Sequence, residues 1–346
     1  MIKHYSILLC AALLTMAGCT GSGNLENATL NYGTGAKSDF VSEPALETEQ
    51  AKLDAGLVCT PFTHPDKAPV LLVHGTFTSG YEQYDWTYLP LLAERGFDVC
   101  AVTYPDRGLG DQQISAEYVV NALRRIYART GRKVAMIGHS QGASMPRWAL
   151  RWWPSARNAV EDFVLQAGPN HGTTNAPALP VLPALTGIPP AFYQFKPDSN
   201  FTKAVNSGDE TPGDISYTSL YTQFDELVQP ATPVPTAGLD FGKNNPKVTN
   251  LLIQDLCPGR FVDHVTIGLT DRVSFELALD AISNPGPANI ERAGGATKLC
   301  GLAAFIPDQM ISSSAVMGML GILQKEPAPS APPLAKEEPP LKSYAR

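Results

Sequence analysis

Val134-Ala135-Met136-Ile137-Gly138-His139-Ser140-Gln141-Gly142 is the stretch that decides the fold of this chain. Val134 to Ile137 is a short apolar run of the kind that forms a buried strand. It leads into Gly-His-Ser-Gln-Gly, which fits the pattern G-x-S-x-G. Residues 141 to 152 then read as a helix, with Pro146 bending or tightening its start and Pro154 beyond its end. The chemistry explains the spacing. A serine used as a nucleophile must sit on a sharp strand-to-helix turn, so that its hydroxyl projects above the sheet. The turn crowds its neighbours, and Gly138 and Gly142 leave room. The helix N-terminus that follows favours negative charge near the serine oxygen. Five residues alone are a weak signal, and a Gly-lined tight turn is the plain alternative. The strand before and the helix after supply the context that makes Ser140 the expected nucleophile.

The pattern outward from this motif alternates. Val70 to Val73 is a β-type run ending at His74-Gly75, and Val99 to Thr103 is another. Ser115 is read as the cap of a helix whose positions Val119, Ala122, Leu123 and Ile126 share one face, and Gly131 ends it. Phe163 to Ala167, Tyr217 to Tyr221 and Val248 to Ile253 read as strands, and 271 to 282 as a helix. Strands alternating with helices predict an α/β-hydrolase fold: a mostly parallel central sheet flanked by helices.

A serine hydroxyl needs a base, and in this architecture the order along the chain is Ser, acid, His. Only His171 and His264 follow Ser140. His171 lies a few residues past the next strand, which leaves no strand before it to carry the acid, so His264 is the expected base. The acid should follow the strand at 217 to 221, where Asp225 and Glu226 both qualify by position. Asp225 is preferred, and Asp263, beside the histidine, is the weaker candidate. The oxyanion hole needs an N–H from the residue after the nucleophile, Gln141, and one from the loop after the first core strand, at Thr76.

Composition sets the wider frame. Of 346 residues, 44% are hydrophobic, enough for a sizeable core, and 17% are charged, with a net charge of −7. No Lys/Arg-rich run occurs, which argues against a nucleic-acid partner. Residues 1 to 18 read as a signal peptide of the lipoprotein type: Lys3 and His4 precede the apolar stretch Ile7 to Leu14, too short to span a bilayer. Met16-Ala17-Gly18-Cys19 then resembles a lipobox, with Met16 where Leu is usual and Cys19 as the lipidated residue. Thr20 after it suggests the outer membrane or cell surface; plain secretion is the alternative. Residues 19 to 51 read as a flexible tether, 52 to 324 as the catalytic domain and 325 to 346 as a Pro-rich tail. Four further cysteines, Cys59, Cys100, Cys257 and Cys300, suit two disulfides in an exported chain. Of the three pairings, the sequential one closes two loops of similar length, each worth roughly 4 kcal/mol in the loop-entropy model. Two apolar stretches, 178 to 193 and 304 to 323, break the alternation and read as packing surface or as the wall or lid of an acyl pocket.

In combination these motifs resemble the Candida antarctica lipase B-like family of α/β-hydrolases and its bacterial relatives. The likeness runs through Leu53 to Cys59, Pro69 to Gly80, Glu117 to Ala122, Trp148 to Pro154, Leu220 to Pro230 and Phe261 to His264, and it returns at Tyr344-Ala345-Arg346. The resemblance implies a lipase or carboxylesterase with no metal or organic cofactor, acting on a lipophilic ester. It implies Ser140, Asp225 and His264 as the triad, Thr76 and Gln141 as oxyanion donors, and the disulfides Cys59–Cys100 and Cys257–Cys300. The fungal family member has Trp where His139 stands and Asp where Pro169 stands, and a third, C-terminal disulfide. His139 is therefore expected either at the rim or floor of a wider, more polar alcohol pocket, or turned inward as a packing residue. A polyester depolymerase or an acyltransferase would use the same triad. A non-catalytic, membrane-tethered binding protein would have no need of it.

Overall fold

The computed structural model describes residues 43–175, 187–306 and 333–346. Seven strands form one sheet in the order β1-β3-β2-β4-β5-β6-β7. They are β1 (Leu57–Cys59), β2 (Val70–Val73), β3 (Val99–Val102), β4 (Val134–His139), β5 (Val160–Gln166), β6 (Ser216–Tyr221) and β7 (Val248–Leu252). β1 runs antiparallel to β3, and every other pair is parallel. A parallel sheet is covered on both faces, so its strands carry unbroken apolar runs. β2, β3 and β4 are buried at every position. Alternate residues still part to opposite sides. Leu71, Val73, Met136 and Leu165 join a core built with Val119, Leu123, Trp148 and Trp153. Val70, Leu72, Ile137 and Val164 join the other, with Tyr84, Tyr88, Phe275 and Leu277.

The helices, from α1 (Gln50–Ala55), α2 (Gly80–Tyr84) and α3 (Tyr88–Glu94) onward, follow the local chemistry closely, with two corrections. Asp111, not Ser115, caps α4 (Gln112–Thr130): its carboxylate accepts the Gln113 N–H, while Ser115 lies inside the first turn and donates back to the Asp111 carbonyl. Gly131 ends α4 in the left-handed conformation. The helix expected over 141 to 152 is broken at Met145 into α5 (Gln141–Ser144) and α6 (Pro146–Trp152), because Pro146 has no N–H to continue the first ladder. Cys59–Cys100 joins facing residues of β1 and β3, and Cys257–Cys300 ties the segment leading to His264 to the helix Ala296–Cys300.

The packed body extends past the expected limits at both ends. Glu43 pairs with Arg124 of α4, ahead of residue 52. Tyr344 rests among Trp148, Trp152 and Trp153, and the Lys342 N–H donates to Gln113. These last residues belong with the core because an aromatic ring there covers an aromatic helix face. Residues 1–42, with the expected leader and Cys19, lie outside the described residues, as does most of the two apolar stretches (178–186 and 307–323).

Candidate active site

β4 ends at His139, and the chain turns at once into α5 with Ser140 at φ 56°, ψ −123°. The glycines make that turn possible. A Cβ on Gly138 would collide with the Gly142 carbonyl, and one on Gly142 would strike the carbonyls of Val73 and His74 on the neighbouring strand. The serine hydroxyl lies 2.9 Å from Nε2 of His264, the first residue of the helix His264–Leu269. On the far side of the ring, Nδ1 is 3.0 Å from each carboxylate oxygen of Asp225, in the loop after β6. All three side chains thus lie beyond the C-terminal ends of the parallel strands, where ligands meet open α/β sheets.

The buried Asp225 carboxylate is fixed by its own loop: Oδ1 accepts the N–H groups of Leu227 and Val228 at 2.9 and 2.7 Å. Its neighbour Glu226 points elsewhere, accepting the backbone N–H of His264 at 3.1 Å and leaving the imidazole alone. Asp263 is occupied as the N-cap of the histidine's helix, in a capping box with Thr266. His171 lies apart, between Glu210 and the Thr236 carbonyl.

Thr76 and Gln141 meet beside Ser140, with the threonine hydroxyl 3.5 Å from the Gln141 side-chain oxygen. The Gln141 amide is anchored by donating to the Gly108 carbonyl at 2.8 Å. Neither the Thr76 nor the Gln141 N–H meets an acceptor among the described residues. The loop that carries Thr76 is held by Arg107, whose carbonyl accepts the Phe77 N–H. The Arg107 guanidinium makes a bidentate pair with buried Glu82 at 2.7 and 2.8 Å. Nothing in the local sequence pattern marks Glu82 and Arg107 as partners, because they lie 25 residues apart on a helix and a tight turn.

A cavity of about 430 Å³ opens over Ser140, walled by Phe77, Phe192, Leu227, Val265 and Leu269 among others. His139 contributes to the same wall, yet both ring nitrogens are turned inward. Nε2 lies 2.7 Å from the His264 carbonyl, and Nδ1 lies 3.4 Å from the Gln83 amide nitrogen. Burial, then the nearby His264, lowers its pKa to about 3, so the ring is neutral. A second cavity, of about 530 Å³, lies at the opposite ends of the strands among Lys133, Glu161, Asp162 and Ser216, away from any of these groups.

Residues 70–290 match the model of the alpha/beta hydrolase family. The chain belongs to that family. Within it, this alpha/beta hydrolase is 30% identical to lipase B of Pseudozyma antarctica over 312 residues, spanning 88% of this chain and 87% of that one. It also superposes on the crystal structure of Aspergillus fumigatus lipase B with a TM-score of 0.75 and 28% identity, covering 88% of this chain and 74% of that one. It is thus a lipase-B-like member of the family and a carboxylic ester hydrolase.

Proposed function

We propose that this hydrolase is a lipase or esterase that cleaves lipophilic esters, triacylglycerols among them, by acyl transfer through Ser140. The observation that carries this reading is the continuous chain from Ser140 Oγ through His264 to Asp225, opening on an apolar cavity. His264 Nε2 takes the hydroxyl proton as Oγ attacks the ester carbonyl. Asp225 orients the ring and stabilises the imidazolium. The oxyanion is received by the Thr76 and Gln141 N–H groups, which meet no acceptor among the described residues. His264 then protonates the departing alkoxide as the ester C–O bond breaks. Water, deprotonated by the same nitrogen, releases the acid and restores Ser140.

The test is a panel of p-nitrophenyl esters of rising acyl length, run beside Ser140→Ala. The wild type should turn over the medium and longer esters, and the variant should lose about 10⁶ in kcat while folding normally. A fully active variant would sink the assignment.

Two disulfides suit an oxidising compartment outside the cytosol. On that ground we place the chain outside the cytoplasm, and from the lipobox-like Met16-Ala17-Gly18-Cys19 we infer that 1–18 is removed and Cys19 lipidated. Labelled palmitate should tag the wild type and not Cys19→Ser. An untagged wild type beginning at another residue would mean plain secretion.

A further inference from the structure

We propose that His139 is a positioning residue, which locks the base His264 to the oxyanion loop through Gln83. The inference rests on the triad reading above and adds to it a part that the G-x-S-x-G pattern leaves unspecified.

Three hydrogen bonds carry it. The Gly75 N–H donates to Gln83 Oε1 at 2.8 Å, the Gln83 Nε2–H donates to His139 Nδ1 at 3.4 Å, and the His139 Nε2–H donates to the His264 carbonyl at 2.7 Å. Their directions are mutually forced. A carbonyl can only accept, so His139 must carry its proton on Nε2. The neutral ring then offers Nδ1 as an acceptor, so Gln83 must turn its NH2 group toward it. That leaves Oε1 facing Gly75, whose N–H can only donate. Both side chains are buried, so water does not compete for these groups.

The chain joins two parts that must agree in the transition state. At one end is Gly75, bonded directly to Thr76 of the oxyanion loop. At the other is the peptide of His264 itself. Glu226 holds the N–H of that same residue, so the backbone of the base is gripped on both sides. The ring has nowhere to retreat: a Cβ on Gly268, on the histidine's own helix, would collide with it. If the clamp is lost, Nε2 and the oxyanion donors can drift relative to one another. A misplacement of about 1 Å costs on the order of 10²-fold in rate.

The experiment measures kcat and KM for p-nitrophenyl butyrate in His139→Phe, His139→Gln, Gln83→Met and the Phe/Met double variant, with Ser140→Ala alongside. His139→Phe keeps a ring without a donor, and it should lower kcat by roughly 30- to 100-fold while KM stays within about twofold. His139→Gln, whose amide can reach the His264 carbonyl, should recover most of that loss. The double variant should be hardly worse than His139→Phe, because both changes cut one chain. A kcat within about threefold of wild type in His139→Phe would overturn the proposal. So would a glutamine variant no better than phenylalanine, or two fully multiplicative losses. If His139→Phe does not fold, Gln83→Met decides by the same split: a loss in kcat supports the clamp, and a change confined to KM, or none, refutes it. Activity close to wild type in Ser140→Ala would instead refute the triad reading beneath it.

Discussion

Replacing Asp225 by asparagine changes one atom and should cost nearly all the activity, for a reason that can be traced bond by bond. Oδ1 of the carboxylate accepts two backbone N–H groups, from Leu227 and Val228. In the variant this position must stay an oxygen, because an amide nitrogen would face two donors. The new NH2 group therefore takes the place of Oδ2, 3.0 Å from Nδ1 of His264. It can only donate, and a proton on Nδ1 would face it even though Oδ1 lies equally near, so the tautomer with Nδ1 as acceptor and the ring proton on Nε2 is favoured. That nitrogen then has no lone pair for the Ser140 hydroxyl. A triad held in the wrong tautomer loses about 10⁴ in kcat, or about 5.4 kcal/mol at roughly 1.36 kcal/mol per decade. KM should hardly move, since Asp225 does not line the cavity. Glu226→Gln is the matched control. Its amide oxygen can still accept the His264 N–H, so its cost should stay within about tenfold. Steady-state kinetics on p-nitrophenyl butyrate read both variants. An Asp225→Asn enzyme within tenfold of wild type, or a Glu226→Gln enzyme that is the poorer of the two, would refute the reasoning.

Asp162 supplies a test on stability. Burial, then the neighbouring Glu161, raises its pKa from 3.8 to about 7. The folded state therefore holds a proton that the unfolded state gives up, and this costs stability as pH rises from about 4 to 7. Asp162→Asn lacks that penalty, so its stability relative to wild type should grow by about 1.4 kcal/mol per pH unit across the window; equal melting differences at pH 4.5 and pH 8 would contradict this. Replacing both Cys257 and Cys300 by serine opens a crosslink spanning 43 residues and should cost up to about 4 kcal/mol in urea unfolding. An unchanged midpoint and slope would show that the bridge constrains nothing. No step of the proposed acyl transfer uses a metal, so EDTA should leave turnover unaltered; loss of activity restored by calcium would expose a metal requirement.

Much of this architecture could be read from the chain, and the failures have physical causes. β2 matched its apolar run at both ends because a strand buried on both faces advertises itself by an unbroken stretch of β-branched and aliphatic residues. β5 begins earlier than expected, since Glu161 and Asp162 interrupt its apolar run at the start. The short helices Gly80–Tyr84 and Tyr88–Glu94 leave no signal in the sequence because they are too brief to show a periodic face. Position alone left Asp225 and Glu226 tied. What separates them is the direction each carboxylate points, which depends on the loop holding its oxygens and not on chain order. The sequence leaves His139 open between a pocket residue and a packing residue. It stands in the cavity wall with its nitrogens bound inward, and only the placement of Gln83, 56 residues away in sequence, makes that visible.

The conformation of Ser140 has a consequence for how such an enzyme can be improved. A residue with a side chain held at φ 56°, ψ −123° stores on the order of 1–3 kcal/mol of strain, and glycine would relieve it. Ser140→Gly should therefore be inert yet melt above the wild type, whereas Ser140→Ala keeps the strain. Thermal robustness and turnover are opposed at this one position. A library screened for heat resistance alone would drift toward discarding the proposed nucleophile, and any campaign to harden this protein has to couple survival at high temperature to ester cleavage in the same round.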